Sequence, residues 1–194
     1  MRDNKNKWVL LTSAAALALG TASLASANTL QNTIERGAVQ CGVSDGLPGF
    51  SAPDDQGEWQ GLDVDVCRAV AAAVFGDAEA VRYISLNAVE RFTALQSGEV
   101  DLLSRNTTWT TTRDTTLGLN FAGVNFYDGI GFMINRDLGV SSAKELDGAA
   151  ICVQSGTTTE LNVADYFRAN DMQFDPIVFD TSEQTVGGFE AGRC

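Results

Sequence analysis

Apolar residues recur at helical spacing in the stretch "GLDVDVCRAVAAAVFGD". Val64, Cys67, Ala71 and Val74 stand three or four positions apart, which is the period of one face of a helix. Gly76 follows the last turn, where glycine often ends a helix in the left-handed conformation. The pattern therefore predicts an amphipathic helix whose apolar face is turned towards a core.

Shorter apolar runs alternate with helical segments beyond this helix. Strands are predicted over 38–43, 80–84 and 100–104, with a helix over 89–97 between the last two. Strands and helices in strict alternation are typical of parallel βαβ units. The chain is therefore assigned to the α/β class.

The character of the chain changes at residue 129, where "GIGFMINRD" is extended and apolar with no helix before it. We interpret it as a strand that leaves one sheet and runs towards another. A short capped helix in "SSAKELDG" follows, and then the alternation of strands and helices restarts at "AAICVQ". These features predict a first α/β lobe over 28–129 and a second over 130–194.

Residues 1–27 have a composition of their own. Three basic residues precede an apolar run that ends in "ASA", which is the order of a secretory signal with an A-x-A cleavage site. An uncleaved membrane anchor is the alternative, but the run is rich in Ala, Ser and Thr and lacks a basic flank after it. We expect cleavage before Asn28, so that the mature protein is exported and not inserted in the membrane.

The chain is acidic, with 13 Lys and Arg, 25 Asp and Glu and a formal charge of −12. Residues 1–27 hold three of these bases and one of the acids, so their removal leaves −14. Such a surface repels phosphate backbones and anionic headgroups, which argues against nucleic acid as a partner. The chain has no histidine, so Ser-His-Asp and Cys-His catalysis lack their base, and no metal or cofactor is expected.

Four cysteines stand in a chain addressed to an oxidising compartment: Cys41, Cys67, Cys152 and Cys194. No pair has the C-x-x-C spacing of a zinc or thiol redox motif. We expect two disulfides, for which three connectivities are open.

The stretch "QSGTTTELNVADYF" has the features of an anion site. It follows a predicted strand and opens a predicted helix, where the first N–H groups have no intrahelical acceptor and the helix dipole is positive. Gly156 lets the backbone approach a ligand closely. The alternative is plain N-capping by Ser or Thr, with Glu160 completing a capping box.

A second such stretch is "NTTWTTTRD". Thr110 is predicted to cap a short helix, which places Arg113 in the first turn, where a cation opposes the dipole. A ligand carboxylate held by the guanidinium would explain this placement, because arginine offers paired parallel donors. The alternative is a surface arginine paired with Asp114 or Asp101.

From Ala38 onward the motifs resemble the periplasmic substrate-binding proteins of polar and general L-amino-acid ABC transporters. This is bacterial solute-binding protein family 3, with the two-lobed type II periplasmic binding fold. The matching landmarks, in order along the chain, are "CGVSDGLPGFS", "GEWQGLDVDVCRAVAAAVFGD", "LQSGEVDLL", "NTTWTTTRDTTLGLNFA" and "CVQSGTTTE".

The resemblance implies a set of ligand-binding residues. In the first lobe Arg113 would grip the ligand's α-carboxylate, with the Thr108 hydroxyl and the Asn106 carbonyl against the α-ammonium. In the second lobe, three residues would give backbone amides to the same carboxylate: Gly156, Thr157 and Thr158. Three further residues fall where the family lines the side-chain pocket: Ser44, Leu47 and Phe50.

The function implied is a periplasmic receptor that closes two lobes on an L-amino acid and delivers it to the permease subunits of an ABC transporter. Members of the family continue beyond "FEAGRC" with a strand that carries an ammonium-binding aspartate, so we expect an incomplete second lobe with an exposed apolar sheet edge. Assigning two cysteines to each lobe predicts the bridges Cys41–Cys67 and Cys152–Cys194.

Two other functions stay open. The resemblance extends to periplasmic dehydratases of small carboxylates, for which the acid or base would be Asp45, Glu90 or Asp128. A sensor domain or a non-functional fragment is the third possibility. Fold similarity does not decide between them, because function resides in the site.

Overall fold

A computed structural model of the protein describes residues 28–194, so the predicted signal sequence lies outside the described residues. The α-helices are α1 (Thr29–Arg36), α2 (Leu62–Phe75), α3 (Glu90–Ser97), α4 (Thr158–Ala169) and α5 (Ser182–Glu190). The strands are β1 (Val39–Ser44), β2 (Ala52–Pro53), β3 (Trp59–Gln60), β4 (Val81–Leu86), β5 (Leu102–Leu103), β6 (Ala149–Gln154) and β7 (Phe174–Phe179). Short turns of other helix types span Thr112–Thr116 (π), Arg136–Leu138 and Ala143–Glu145 (both 3₁₀).

The first sheet is parallel and has the order β4-β1-β5. The central position of β1 explains its apolar sequence: Val39, Cys41 and Val43 are at most 1% exposed. Gly42 lies between them, and a β-carbon there would stand 2.6 Å from a methyl of Leu103 on the neighbouring strand. The sheet confirms the parallel βαβ arrangement that the alternation predicts.

Helix α2 packs on β1 through the predicted apolar face. Val64, Cys67 and Ala71 are fully buried, and Cys67 is bonded to Cys41 of the strand. Gly76 ends the helix with a φ of 72°, as its position at the end of the pattern predicts. Helix and strand are thus joined both by packing and by a covalent bond.

The second sheet has two parallel strands, β6 and β7, with Cys152 opposite Ile177. Its core is formed with α4, whose Val163 and Phe167 are at most 4% exposed. The disulfide Cys152–Cys194 joins β6 to the segment after α5. Apolar side chains remain exposed on this half, among them Leu161, Val178 and Val186.

The strand expected in "GIGFMINRD" is absent: the described residues 117–135 contain no regular strand. The backbone nevertheless alternates as an extended chain does, because Phe132 and Ile134 pack on the second core while Gly131 and Met133 are exposed. Within residues 28–194 no strand pairs with it to complete a hydrogen-bonded ladder. Extension was therefore predicted correctly and sheet pairing was wrong.

The strand expected over 100–104 is also shorter than predicted. Only Leu102 and Leu103 pair with β1. Within residues 28–194 the structure has no helix that is both long and apolar enough to span a bilayer.

Candidate amino-acid binding site

Arg113 lies in the π-helical turn that follows Thr110 and is 8% exposed. The Thr110 hydroxyl accepts a hydrogen bond from the Arg113 backbone N–H at 3.2 Å, so this threonine caps the turn as predicted. The guanidinium donates through Nη1 to the Thr108 carbonyl at 2.8 Å. Its Cζ lies 4.9 Å from the centre of the Phe92 ring.

The alternative pairing of Arg113 with Asp101 or Asp114 is wrong. Asp101 forms its ion pair with Arg36, and within the described part of the chain no carboxylate comes within salt-bridge distance of Arg113. Burial lowers the pKa of Arg113 from its ordinary value. The part of the chain that the structure describes therefore holds a buried guanidinium with no carboxylate at salt-bridge distance.

Helix α4 begins beside Thr108, the residue whose carbonyl accepts a hydrogen bond from Arg113. The Thr108 and Thr158 hydroxyls are 2.8 Å apart, so residues 50 positions apart in the chain meet here. Among the described residues the backbone N–H groups of Thr157 and Thr158 have no protein acceptor. The start of α4 thus contacts Thr108, the residue whose carbonyl accepts from Arg113, and helix N-termini with open amides are typical anion sites.

The capping box that was the alternative for this turn is present. The Thr157 hydroxyl accepts from the Glu160 N–H at 3.1 Å, while the Glu160 carboxylate accepts from the Gly156 N–H at 3.0 Å. Capping and anion binding are compatible. The capping box occupies the Gly156 N–H group, whereas the N–H groups of Thr157 and Thr158 stay free to bind an anion. The Gly156 amide, one of the predicted ligand donors, is bonded within the protein.

The Asn106 carbonyl also has a protein partner. It accepts from Nη1 of Arg91 at 2.7 Å, and the Asn106 side-chain oxygen accepts from Nη2 of Arg105 at 2.8 Å. A carbonyl oxygen has two lone pairs, so one remains for a ligand ammonium. The structure gives Asn106 a second role, as the acceptor that orients two buried arginines.

The predicted side-chain pocket residues lie in the loop after β1. Ser44 is buried, and its hydroxyl is 3.3 Å from a carboxylate oxygen of Asp45. Leu47 forms a tight turn with Ser51, whose N–H donates to the Leu47 carbonyl at 2.9 Å. The Phe50 ring packs edge-on against Phe126, with centres 4.9 Å apart. Their part in ligand binding remains a prediction.

Sequence reasoning missed Arg91 and Arg105, which are 2% and 6% exposed. We call Arg91, Arg105 and Arg113 the arginine cluster. Burial, together with smaller effects of the Arg105 and Arg113 charges, lowers the pKa of Arg91 to about 9. Burial likewise lowers the pKa of Arg105 to about 10, although Asp45 and Asp63 oppose that shift.

A signal for Arg91 was present in the sequence. It is the second residue of α3, so it opposes the helix dipole just as Arg113 was expected to do. The argument that singled out Arg113 therefore applied equally to Arg91. Arg105 gave no such signal, because it lies outside any helix.

Two other cavities are present among the described residues, and no residue of the arginine cluster lines either of them. Their volumes are about 540 and 590 Å³, and both border the extended segment at Phe132 and Ile134 beside the second sheet. Their linings are mainly apolar. The cavities therefore do not compete with the cluster as a site for a charged ligand.

The structure thus combines two parallel sheets with a buried arginine that has no carboxylate partner among the described residues. The chain belongs to the bacterial extracellular solute-binding proteins, family 3, whose pattern matches residues 39–162. This confirms the resemblance, and the fold is that of the type II periplasmic binding proteins.

Individual relatives agree with this family. The chain is 58% identical over 190 residues to the general L-amino acid-binding periplasmic protein AapJ of Rhizobium johnstonii, covering 98% of this chain and 56% of that protein. It is 57% identical over 179 residues to the glutamate/glutamine/aspartate/asparagine-binding protein BztA of Rhodobacter capsulatus, covering 92% and 53%. The chain thus spans about half the length of these curated relatives.

A solved structure matches as well. It is the ABC transporter periplasmic binding protein of Brucella ovis with glutathione bound, which is 61% identical. The TM-score is 0.82, and the match covers 86% of this chain and 52% of that one.

Proposed function

We propose that the chain acts as a periplasmic receptor that binds L-amino acids and delivers them to an ABC transporter permease. Its lobes, over 28–129 and 130–194, would close on the charged groups of the ligand. The observation that carries the proposal is the buried Arg113 guanidinium, which has no carboxylate partner in the described residues and donates to Thr108, the residue whose hydroxyl contacts Thr158 at the start of α4.

A ligand carboxylate supplies the missing counter-charge. It would accept from Arg113 on one side and from the amides of Thr157 and Thr158 on the other. Each hydrogen bond to a charged group contributes about 1.5 to 3 kcal/mol. Two or three of them, made only when the lobes are closed, reach the roughly 5.5 kcal/mol that switches a two-state population fully. The Thr108 hydroxyl and the free lone pair of Asn106 would take the ammonium.

Arg91 and Arg105 donate to backbone carbonyls and are not proposed to touch the ligand, but their charges add positive potential that favours ligands with a second negative group. Arg91 and Arg105 add two buried cations, while Asp45 and Asp63 are the carboxylates whose charges act on Arg105. Acidic amino acids meet this requirement, as the name of the Rhodobacter relative suggests. Glutathione meets it too, because its γ-glutamyl end keeps a free α-amino acid group and its other end is a carboxylate.

The structure offers less support for an enzyme. Glu90 and Asp128, two of the three candidate acids, are exposed and accept bonds from the backbone N–H groups of Asn87 and Gly129. Oδ1 of Asp45 accepts from the Ser44 hydroxyl at 3.3 Å, while Oδ2 is buried and has no hydrogen-bond partner among the described residues. None of these three carboxylates is hydrogen-bonded to Thr108 or Thr158. We therefore propose that the protein binds its ligand without turnover.

Calorimetric titration of the chain with L-glutamate, L-glutamine, L-leucine and glutathione tests the proposal, with the Rhizobium relative as positive control. We expect saturable binding that Arg113→Met abolishes and Arg82→Met leaves unchanged, because Arg82 is exposed on β4. NMR spectra of the ligands after incubation should show no product. Equal loss in both variants, or a new product, would contradict a receptor built on Arg113.

A further inference from the structure

Arg91 joins the two halves of the molecule through backbone carbonyls. From the first turn of α3, its Nη1 donates to the Asn106 carbonyl at 2.7 Å and its Nη2 donates to the Gly156 carbonyl at 3.1 Å. The second bond joins residues 65 positions apart: Arg91, in the helix that packs on the first sheet, and Gly156, in the turn before α4. Arg91 is 2% exposed, whereas its two acceptors belong to exposed residues, so both bonds lie at the edge of the buried region.

The bonds to carbonyls are the main compensation for burying this cation. Within residues 28–194 no carboxylate lies within salt-bridge distance of Arg91, and its buried Nε has no acceptor. Its Cζ also lies 4.7 Å from the centre of the Phe92 ring. A buried charge is tolerated only where hydrogen bonds replace its hydration, so Arg91 and the two carbonyls depend on each other.

The turn at 154–158, which we call the Gly156 turn, packs tightly on the start of α3. Gly156 has a φ of 71°, and a β-carbon there would lie 3.0 Å from Cγ2 of Val89 and 3.3 Å from the Ala88 carbonyl oxygen. The Thr108–Thr158 hydroxyl contact lies at the same junction. The Gly156 turn is therefore held at this junction through both backbone and side-chain atoms.

We propose that Arg91 is a positioning residue, which holds the Gly156 turn against α3 and so sets the spacing between Arg113 and the amides of Thr157 and Thr158. The ligand part of this inference rests on the proposed function, whereas the contact joins protein groups only. Arg91 would bias the lobes towards closure before the ligand reinforces it.

Hydrogen exchange of the chain without added amino acid tests the contact. Exchange is followed by mass spectrometry in residues 155–160 and 88–95, for the wild type, Arg91→Met, Arg91→Lys and the matched control Arg82→Met. Loss of one hydrogen bond to a charged donor should speed exchange in both segments about tenfold or more in Arg91→Met. We expect Arg91→Lys to show a smaller increase, because one ammonium cannot span both carbonyls in the way the planar fork does. Arg82→Met should match the wild type.

Titration with L-glutamate then separates two roles. A positioning residue predicts weaker binding together with faster exchange in 155–160. Weaker binding with unchanged exchange would mean that Arg91 touches the ligand directly, and it would overturn the proposal. Exchange that rises equally over β6 and β7 in both Arg91 variants would also overturn it, because the role would then be general stability. If the wild type binds no amino acid, the proposed function fails while the exchange result still decides the contact.

Discussion

Replacing Gly156 with alanine probes the junction where the proposed ligand amides meet the rest of the site. The left-handed backbone, at a φ of 71°, costs an L-residue about 1 to 2 kcal/mol. The new methyl would also stand 3.0 Å from Val89 Cγ2 and 3.3 Å from the Ala88 carbonyl oxygen, so the Val89 side chain or the turn itself must shift, and we expect the turn to shift because the Ala88 carbonyl is backbone. Gly148 is the matched control, because its φ is 78° and a β-carbon there meets nothing within 4 Å.

The movement acts on two hydrogen bonds. The 2.8 Å contact between Thr108 and Thr158 is neutral and is worth about 0.5 to 1.5 kcal/mol, while the 3.1 Å bond from Arg91 to the Gly156 carbonyl is worth about 1.5 to 3 kcal/mol. Losing both removes about 2 to 4.5 kcal/mol of contact between the two segments. Since 1.4 kcal/mol is a factor of ten, we expect the affinity for an amino acid to fall more than about tenfold.

Two assays separate the effects. Urea unfolding followed by circular dichroism should show that Gly148→Ala lowers the free energy of unfolding by about 1 to 2 kcal/mol and that Gly156→Ala lowers it at least as much. Calorimetric titration with L-glutamate should show loss of affinity in Gly156→Ala alone. Unchanged affinity in Gly156→Ala, or the same loss in both variants, would refute the placement of the site at this turn.

Two further predictions concern stability. Replacing Cys41 and Cys67 with alanine should lower the free energy of unfolding by about 3.5 kcal/mol, the chain-entropy value for a separation of 26 residues, and a urea midpoint equal to that of the wild type would contradict it. Burial raises the pKa of Asp63 above its ordinary 3.8, so its share of stability is greatest below that pH and is lost as pH rises through the raised value. Asp54 has a lowered pKa through backbone hydrogen bonds, so its share is lost as pH falls instead. Unfolding midpoints against pH for Asp63→Asn and Asp54→Asn should therefore differ from the wild type with opposite slopes, and parallel slopes would refute the assignment.

Local patterns predicted the helices and their ends well, because the physical cause is itself local. Gly76 and Gly98 end α2 and α3 in the left-handed conformation, and Thr157 caps α4, all within one turn of the predicted positions. The stretch around Phe132 failed for the opposite reason. Its alternation fixes an extended backbone, but a strand also needs a neighbour, and pairing depends on residues far away in the chain.

In the candidate site, too, local sequence predicted some residues and missed those that depend on distant contacts. The sequence and the family resemblance singled out Arg113 and the start of α4, both recognisable from charge and capping patterns. Arg91 and Arg105 were missed because their importance lies in burial and in bonds to distant carbonyls, which no local pattern encodes. The one local clue to Arg91 is its position in the first turn of α3, where a positive charge opposes the helix dipole.

The arginine cluster is enclosed by a surface of the opposite sign. Residues 28–194 carry a formal charge of −14, so an anionic ligand meets repulsion at long range and attraction only at short range. Repulsion between exposed charges is screened beyond about 8 Å at physiological ionic strength, whereas the buried guanidinium groups are screened much less. Moderate salt should therefore speed the entry of acidic ligands while leaving their retention nearly unchanged. Ionic strength thus acts on the association rate, and through it on the affinity, while the dissociation rate changes little.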